Sequence, residues 1–483
     1  MKRFVGIGSM ILMLALAAAQ CGAASESATT QESNQAAETS SQVSVEESAA
    51  KGNEEANVAA EAEVSNAVEQ EVIENRAEGN EEVVGEPGEI AKPEAAESEA
   101  GQEAAANDHS EACADPFEGV SLRFSPDVWN AEGLARFAGS ELVDPASGLE
   151  TNFCKHSVNY GEILSGGPPP DGIPPLDNPN FDPIAQGDEW LADVQPVIAL
   201  VVGDQARAYP LAILTRHEIA NDEIAGLPVA VTFCPLCNAA IVFKREVDGE
   251  VLRFGVSGNL RNSDLIMWDN KTLSWWQQFT GEAIVGDLTG TQLEMIPAQL
   301  VSWQDFKAAY PNGTVLSNNG RSYGQNPYAG YDSSPRPFLF TDTPDPRLPA
   351  TERVLGYFSG DTAVAYPLPV IVELGVIEDN IDGQDVVIFY EPGQVSALDQ
   401  SIIADSKEVG SAGMFRPEVG GQKLTFSYEE GVITDNETGS EWDVFGRAIE
   451  GELAGAQLQP ILSHTHFWFA WAAFRPDTRV YGS

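Results

Sequence analysis

"GLPVAVTFCPLCNAAIVF", residues 226–243, sets two strand-like runs on either side of Cys234-Pro235-Leu236-Cys237. Both flanks are rich in β-branched and aromatic residues, the composition of strands that pack on one face. The CPLC segment therefore reads as a connection between strands and not as the first turn of a helix. That difference sets its chemistry. A helix N-terminus lowers the pKa of a thiol through its dipole, as in thioredoxin-type enzymes, whereas a strand-turn-strand knuckle points two sulfurs the same way, as zinc ribbons do.

Short apolar runs alternating with Gly/Pro/Asn/Asp turns continue on both sides of this stretch. Helical segments do not separate the strands regularly, which disfavours a parallel βαβ architecture. A mainly β fold with short helices is expected. The chain also resembles itself: "ARAYPL" (206–211) returns as "AVAYPL" (363–368), "GLPVAVTF" (226–233) as "GQDVVIFY" (383–390), and "LSWWQQFTGEAI" (273–284) as "GSEWDVFGRAI" (439–449). "DFKAAYPNGTV" (305–315) matches "FAWAAFRPDTRV" (469–480), and the order is unchanged. Residues 190–318 and 355–483 thus read as two diverged tandem copies of one β-rich unit, joined by 319–354 and packed with pseudo-twofold symmetry. Residues 116–189 form an N-terminal arm. Its stretch 164–183, "LSGGPPPDGIPPLDNPNFDP", is too proline-rich for a helix or a central strand and is expected to wrap the surface.

The first 21 residues read as an export signal: Lys2 and Arg3 precede an apolar run, Val5 to Ala19, too short to span a membrane comfortably. "LAAAQC" places Cys21 where a bacterial lipoprotein carries its lipid, although Gln20 departs from the small residue usual there. Residues 22–115 hold 24 acidic and three basic residues and no aromatic one. Such a segment buries too little apolar surface to offset chain entropy and is expected to be a disordered tether. The formal net charge of −48 argues against nucleic acid and anionic lipid surfaces, which would repel it. These readings place the folded body in the cell envelope, outside the cytoplasm, with the lipid anchor as its contact with a membrane.

Five cysteines divide among three tasks. Cys21 takes the lipid, Cys113 and Cys154 are candidates for a disulfide clamping the start of the folded region, and Cys234 and Cys237 are the close pair. A four-coordinate metal site on that pair needs two more ligands. "SHTHFWF" in the second copy supplies His464 and His466, spaced to share one face of a strand. Brought across the interface between copies they complete a Cys2His2 site for zinc or copper. The bland alternative is a structural turn and two packed imidazoles. His217 and His156 are further candidate ligands, although each reads better as a histidine bonded to backbone. Residues 254–272, "FGVSGNLRNSDLIMWDNKT", read as a compact polar loop that satisfies its own hydrogen bonds. Trp275, Trp276 and Trp303 fit a core as well as a sugar platform.

"ARAYPLAILTRHEIANDEIAGLPVAVTFCPLCNAAIVF", "FGVSGNLRNSDLIMWDNKTLSWWQQFTGEAIVG" and "HFWFAWAAFRPDT" together resemble the bacterial and archaeal family catalogued as domain of unknown function 3179. Relatives there are generally exported, and some are described as selenoproteins with selenocysteine at the position of a cysteine of this CxxC. That resemblance implies thiol redox or soft-metal chemistry at Cys234 and Cys237, without choosing between them. A redox role needs an exposed cysteine of lowered pKa and a redox partner. The alternative is a non-catalytic surface module that binds a small ligand, its CxxC structural.

Overall fold

The computed structural model describes residue 113 and residues 115–482. The export signal, Cys21 and nearly all of the acidic stretch lie outside the described residues. The chain is mainly β, with six α-helices among the described residues, none longer than seven residues.

Leu227–Cys234 runs antiparallel between Ile219–Ile224 and Ala239–Lys244, with the short strands Met295–Ile296 and Leu176–Asp177 at the edges of a five-stranded sheet. Buried on both faces, it reads as a near-continuous apolar run. A second five-stranded sheet contains Pro196–Val202 and Gln205–Pro210, and a third contains Phe254–Arg261, Asp264–Asp269, Trp275–Gln277 and Ala283–Val285. The later part of the chain holds three four-stranded sheets built around Arg353–Ser359, Gln384–Glu391 and Val432–Asp435.

Residues 254–272 are not a loop. They form a tight antiparallel hairpin whose turn residues, Asn262 and Ser263, take φ of 53° and 65°. Two consecutive left-handed residues give the primed turn whose twist matches the flanking strands. Asp264 follows this turn directly and opens the return strand.

The proline-rich stretch supplies an edge strand to each five-stranded sheet of the first half. Ile163–Ser165 pairs with Phe254–Arg261, Leu176–Asp177 runs parallel to Ile219–Ile224, and Phe181–Pro183 pairs with Thr314–Leu316. Edges are where proline is tolerated, because one side of the strand needs no N–H donor. Between these strands the Arg253 guanidinium bonds to Asp171 (2.5 Å) and Asp177 (3.1 Å). A disulfide joins Cys113 to Cys154, beside an aromatic cluster of Phe117, Phe124, Phe153, Tyr160 and Trp275. Trp275, Trp276 and Trp303 are all fully buried core residues.

Several local arrangements occur twice. The Tyr209 hydroxyl donates to Asp222 (2.6 Å) and that of Tyr366 to Asp379 (2.7 Å). The Trp276 indole donates to Asp269 and the Trp442 indole to Asp435, both at 3.0 Å. Helix Leu211–His217 ends on Glu218 (φ 56°) and helix Leu368–Leu374 on Gly375 (φ 69°), both left-handed.

Candidate functional site

Strand Leu227–Cys234 ends on the first cysteine, the chain turns through Pro235 to Asn238, and Ala239 pairs back opposite Cys234. Asn238 closes the turn at φ 49°. Both thiols are free and buried. Above them sits the hairpin turn: the Ser263 carbonyl lies 3.4 Å from Cys237 Sγ and 3.9 Å from Cys234 Sγ.

Asp264 is the third member of the group. One of its carboxylate oxygens and both sulfurs lie within 4.8 Å of one another, the one such group of three His, Cys, Asp or Glu ligands among the described residues. Its Oδ2 accepts from Gln277 Nε2 (2.6 Å) and from the Phe279 amide (2.9 Å), which fix the side chain. Its Oδ1 is buried with no N–H or O–H partner, and the Cys234 and Cys237 thiols are the carboxyl's remaining hydrogen-bonding neighbours. A buried carboxylate oxygen served by weak S–H donors alone costs free energy, so it marks a place for a proton or a ligand.

Glu218 stands beside this group. Its carbonyl accepts from the Phe233 amide (2.8 Å), pinning it next to the cysteine-bearing strand. Burial, then the neighbouring Asp264 charge, push its pKa up to about 8. Burial likewise pushes Asp264 up to about 7 and raises both thiols, Cys237 well above the ordinary range. Neither carboxyl is paired with Lys or Arg in an ion pair among the described residues. The linking segment closes the site: the Tyr331 hydroxyl donates to the Leu236 carbonyl (3.0 Å), and Ser263 Oγ donates to the Phe338 carbonyl.

The histidine-bearing strand Ser463–Phe467 does reach the cysteine turn, through the Phe467 amide and the Cys237 carbonyl (2.9 Å). Its imidazoles do not join the thiol group. His466 packs between Phe279 (4.4 Å between centroids) and Trp471 (5.5 Å), and His464 lies 6.0 Å from His466. Burial lowers the pKa of both, His464 to about 4. The shared strand face that the two-residue spacing creates is turned into an aromatic layer, and Asp264 occupies the position beside the sulfurs. His217 Nδ1–H donates to the Pro174 carbonyl (2.7 Å), and the ring is neutral, its pKa lowered to about 4 chiefly by burial. His156 is exposed, 2.9 Å from the Val158 carbonyl and against Tyr160. Neither belongs to the group, and Cys154 is taken up by the disulfide.

Folded Asp264 and Glu218 hold protons up to about pH 7 and 8, whereas unfolded they release them near pH 4, so stability falls as pH rises through that window. Glu391, raised to about 7 by burial, adds in the same sense. The buried histidines act oppositely, but only below about pH 6.5, where the unfolded imidazole is charged. In a chelator, the protein should lose about 2 kcal/mol between pH 6.5 and 8 by urea denaturation. A flat or rising profile would count against buried, uncompensated carboxyls.

No helix among the described residues is long and apolar enough to cross a membrane. The sequence model of one family, described as "Protein of unknown function (DUF3179)", matches residues 170–478. No curated protein and no solved structure matches.

Proposed function

The chain belongs to the DUF3179 family, a description that carries no activity, and from the residues themselves we propose an exported protein that holds a soft metal ion at Cys234, Cys237 and Asp264. One observation carries this reading: two free thiols and a carboxylate lie within 4.8 Å in a buried centre. Isolating three acidic groups from water is costly unless protons or a cation neutralise them. A metal ion does so while replacing the protons, which pass to solvent. Zn²⁺ suits two thiolates with a carboxylate, and copper(I) suits the thiolates alone. Closure by Tyr331 and the Ser263 hydroxyl favours an ion that is held over one that meets a substrate.

Thiol redox is the second reading. It is supported by the two thiols lying in contact, one hydrogen-bonded to the other, ready to close a Cys234–Cys237 disulfide. Burial weighs against it, because raised thiol pKa values remove the attacking thiolate. Export and lipidation rest on the leader and Cys21. Tandem duplication is supported by the twice-occurring Tyr–Asp and Trp–Asp bonds and the matched helix ends.

The test is elemental analysis of chain purified without chelators, with thiol titration in denaturant before and after reduction. About one metal per chain, absent in Cys234→Ala, is expected for a site of this kind. No metal, with thiols titrating only after reduction, would replace this reading with the redox one. No metal and two thiols free throughout would leave a structural turn in a binding module.

A further inference from the structure

We infer that Glu218 is the fourth protein ligand of this centre, giving a closed Cys2AspGlu set; the inference rests on the metal reading above. Three ligands leave a tetrahedral ion one position short, open to water, whereas a structural site is closed by protein. The chain offers one more hard donor at the right place. Glu218 is 7% exposed, an unusual place for a glutamate.

Its backbone makes the choice of residue informative. Glu218 caps helix Leu211–His217 in the left-handed region, φ 56°, a conformation that costs a residue with a Cβ but is free to glycine. At the matching helix end of the second half the residue is Gly375, φ 69°. A Cβ placed on Gly375 would collide with the Tyr428 ring on hairpin Phe426–Asp435, so side chains at this helix end project toward the neighbouring hairpin. In the first half that hairpin is Phe254–Asp269, the one that carries Asp264. Glutamate thus stands where glycine fits the backbone better, and it lies close enough to the hairpin to feel the Asp264 charge. The Phe233 amide bond to its carbonyl holds it one residue from the Cys234 level. The carboxyl lies outside the 4.8 Å group of the other three; a side-chain rotation on binding brings it in, with its proton lost to solvent.

The experiment compares the full chain with Glu218→Gly and Glu218→Gln, using Zn²⁺ in competition with a chromophoric chelator and Co²⁺ as a spectroscopic substitute. Both variants should bind Zn²⁺ at least tenfold more weakly. Their Co²⁺ forms should keep the thiolate charge-transfer band while the visible ligand-field bands weaken and shift, as water replaces the carboxylate. Metal-free Glu218→Gly should melt no lower than the metal-free parent, since glycine relieves the backbone. Unchanged Zn²⁺ affinity and Co²⁺ bands in both variants would overturn the role of Glu218 while leaving the three-ligand site standing. A parent chain that binds neither ion would overturn both together.

Discussion

Asp264→Asn should empty the metal site while leaving the fold in place. The amide oxygen of asparagine still accepts from the Phe279 amide and Gln277, the two donors that Asp264 Oδ2 satisfies at 2.9 and 2.6 Å. The lost element is the anionic oxygen beside Cys234 and Cys237. A hard anionic ligand removed from a site of three or four weakens binding by at least about a hundredfold, or about 3 kcal/mol. Metal retained through purification should fall from about one per chain to below about a tenth. Stability of the metal-free variant should decline less steeply between pH 6.5 and 7.5, since the group raised to about 7 at Asp264 is gone while Glu218 and Glu391 still titrate. Full metal retention in this variant would move the ion elsewhere in the chain.

Asp269→Ala should lower the stability of the folded body by about 3–5 kcal/mol. The carboxylate is fully buried and accepts from the amides of Lys271 (3.0 Å), Thr272 (2.7 Å) and Ser274 (3.2 Å), the Thr272 hydroxyl (2.8 Å) and the Trp276 indole (3.0 Å). Alanine leaves these donors unpaired inside the protein, which costs more than the bonds themselves contribute. Asp435 performs the same task for Thr438, Ser440 and Trp442. Asp435→Ala should therefore cost a similar amount, and the two losses should add if the sites share no partners. Urea denaturation of the two single variants and the double variant measures this. A loss below about 1 kcal/mol for Asp269→Ala would mean that water replaces the carboxylate and the cage is not closed.

The two carboxylates also show where sequence reasoning stops. Asp264 lies in "RNSDL", a stretch that by composition alone reads as a polar loop. A signal was available: Asn262 tolerates the left-handed conformation of a hairpin turn, and strand-like apolar residues lie on both sides, Phe254 and Val256 before it and the run Leu265 to Trp268 after it. Glu218 follows Arg216 and His217 and looks like the polar end of a helix. Nothing local says that this end is buried. The histidine pair misled for the reciprocal reason: two-residue spacing places His464 and His466 on one face, but spacing does not say what that face meets, and here it meets Phe279 and Trp471.

By itself the sequence determined what depends on near neighbours. Alternation and β-branched composition made the body mainly β, and strand-like flanks made Cys234-Pro235-Leu236-Cys237 a turn between strands, because backbone preference and side-chain period act over a few residues. Tertiary structure decided the company the thiols keep. Glu218 caps a helix, while Cys234 and Asp264 lie on strands of two different sheets, and their approach follows from how the helix and those sheets pack, a choice that no short stretch of chain encodes.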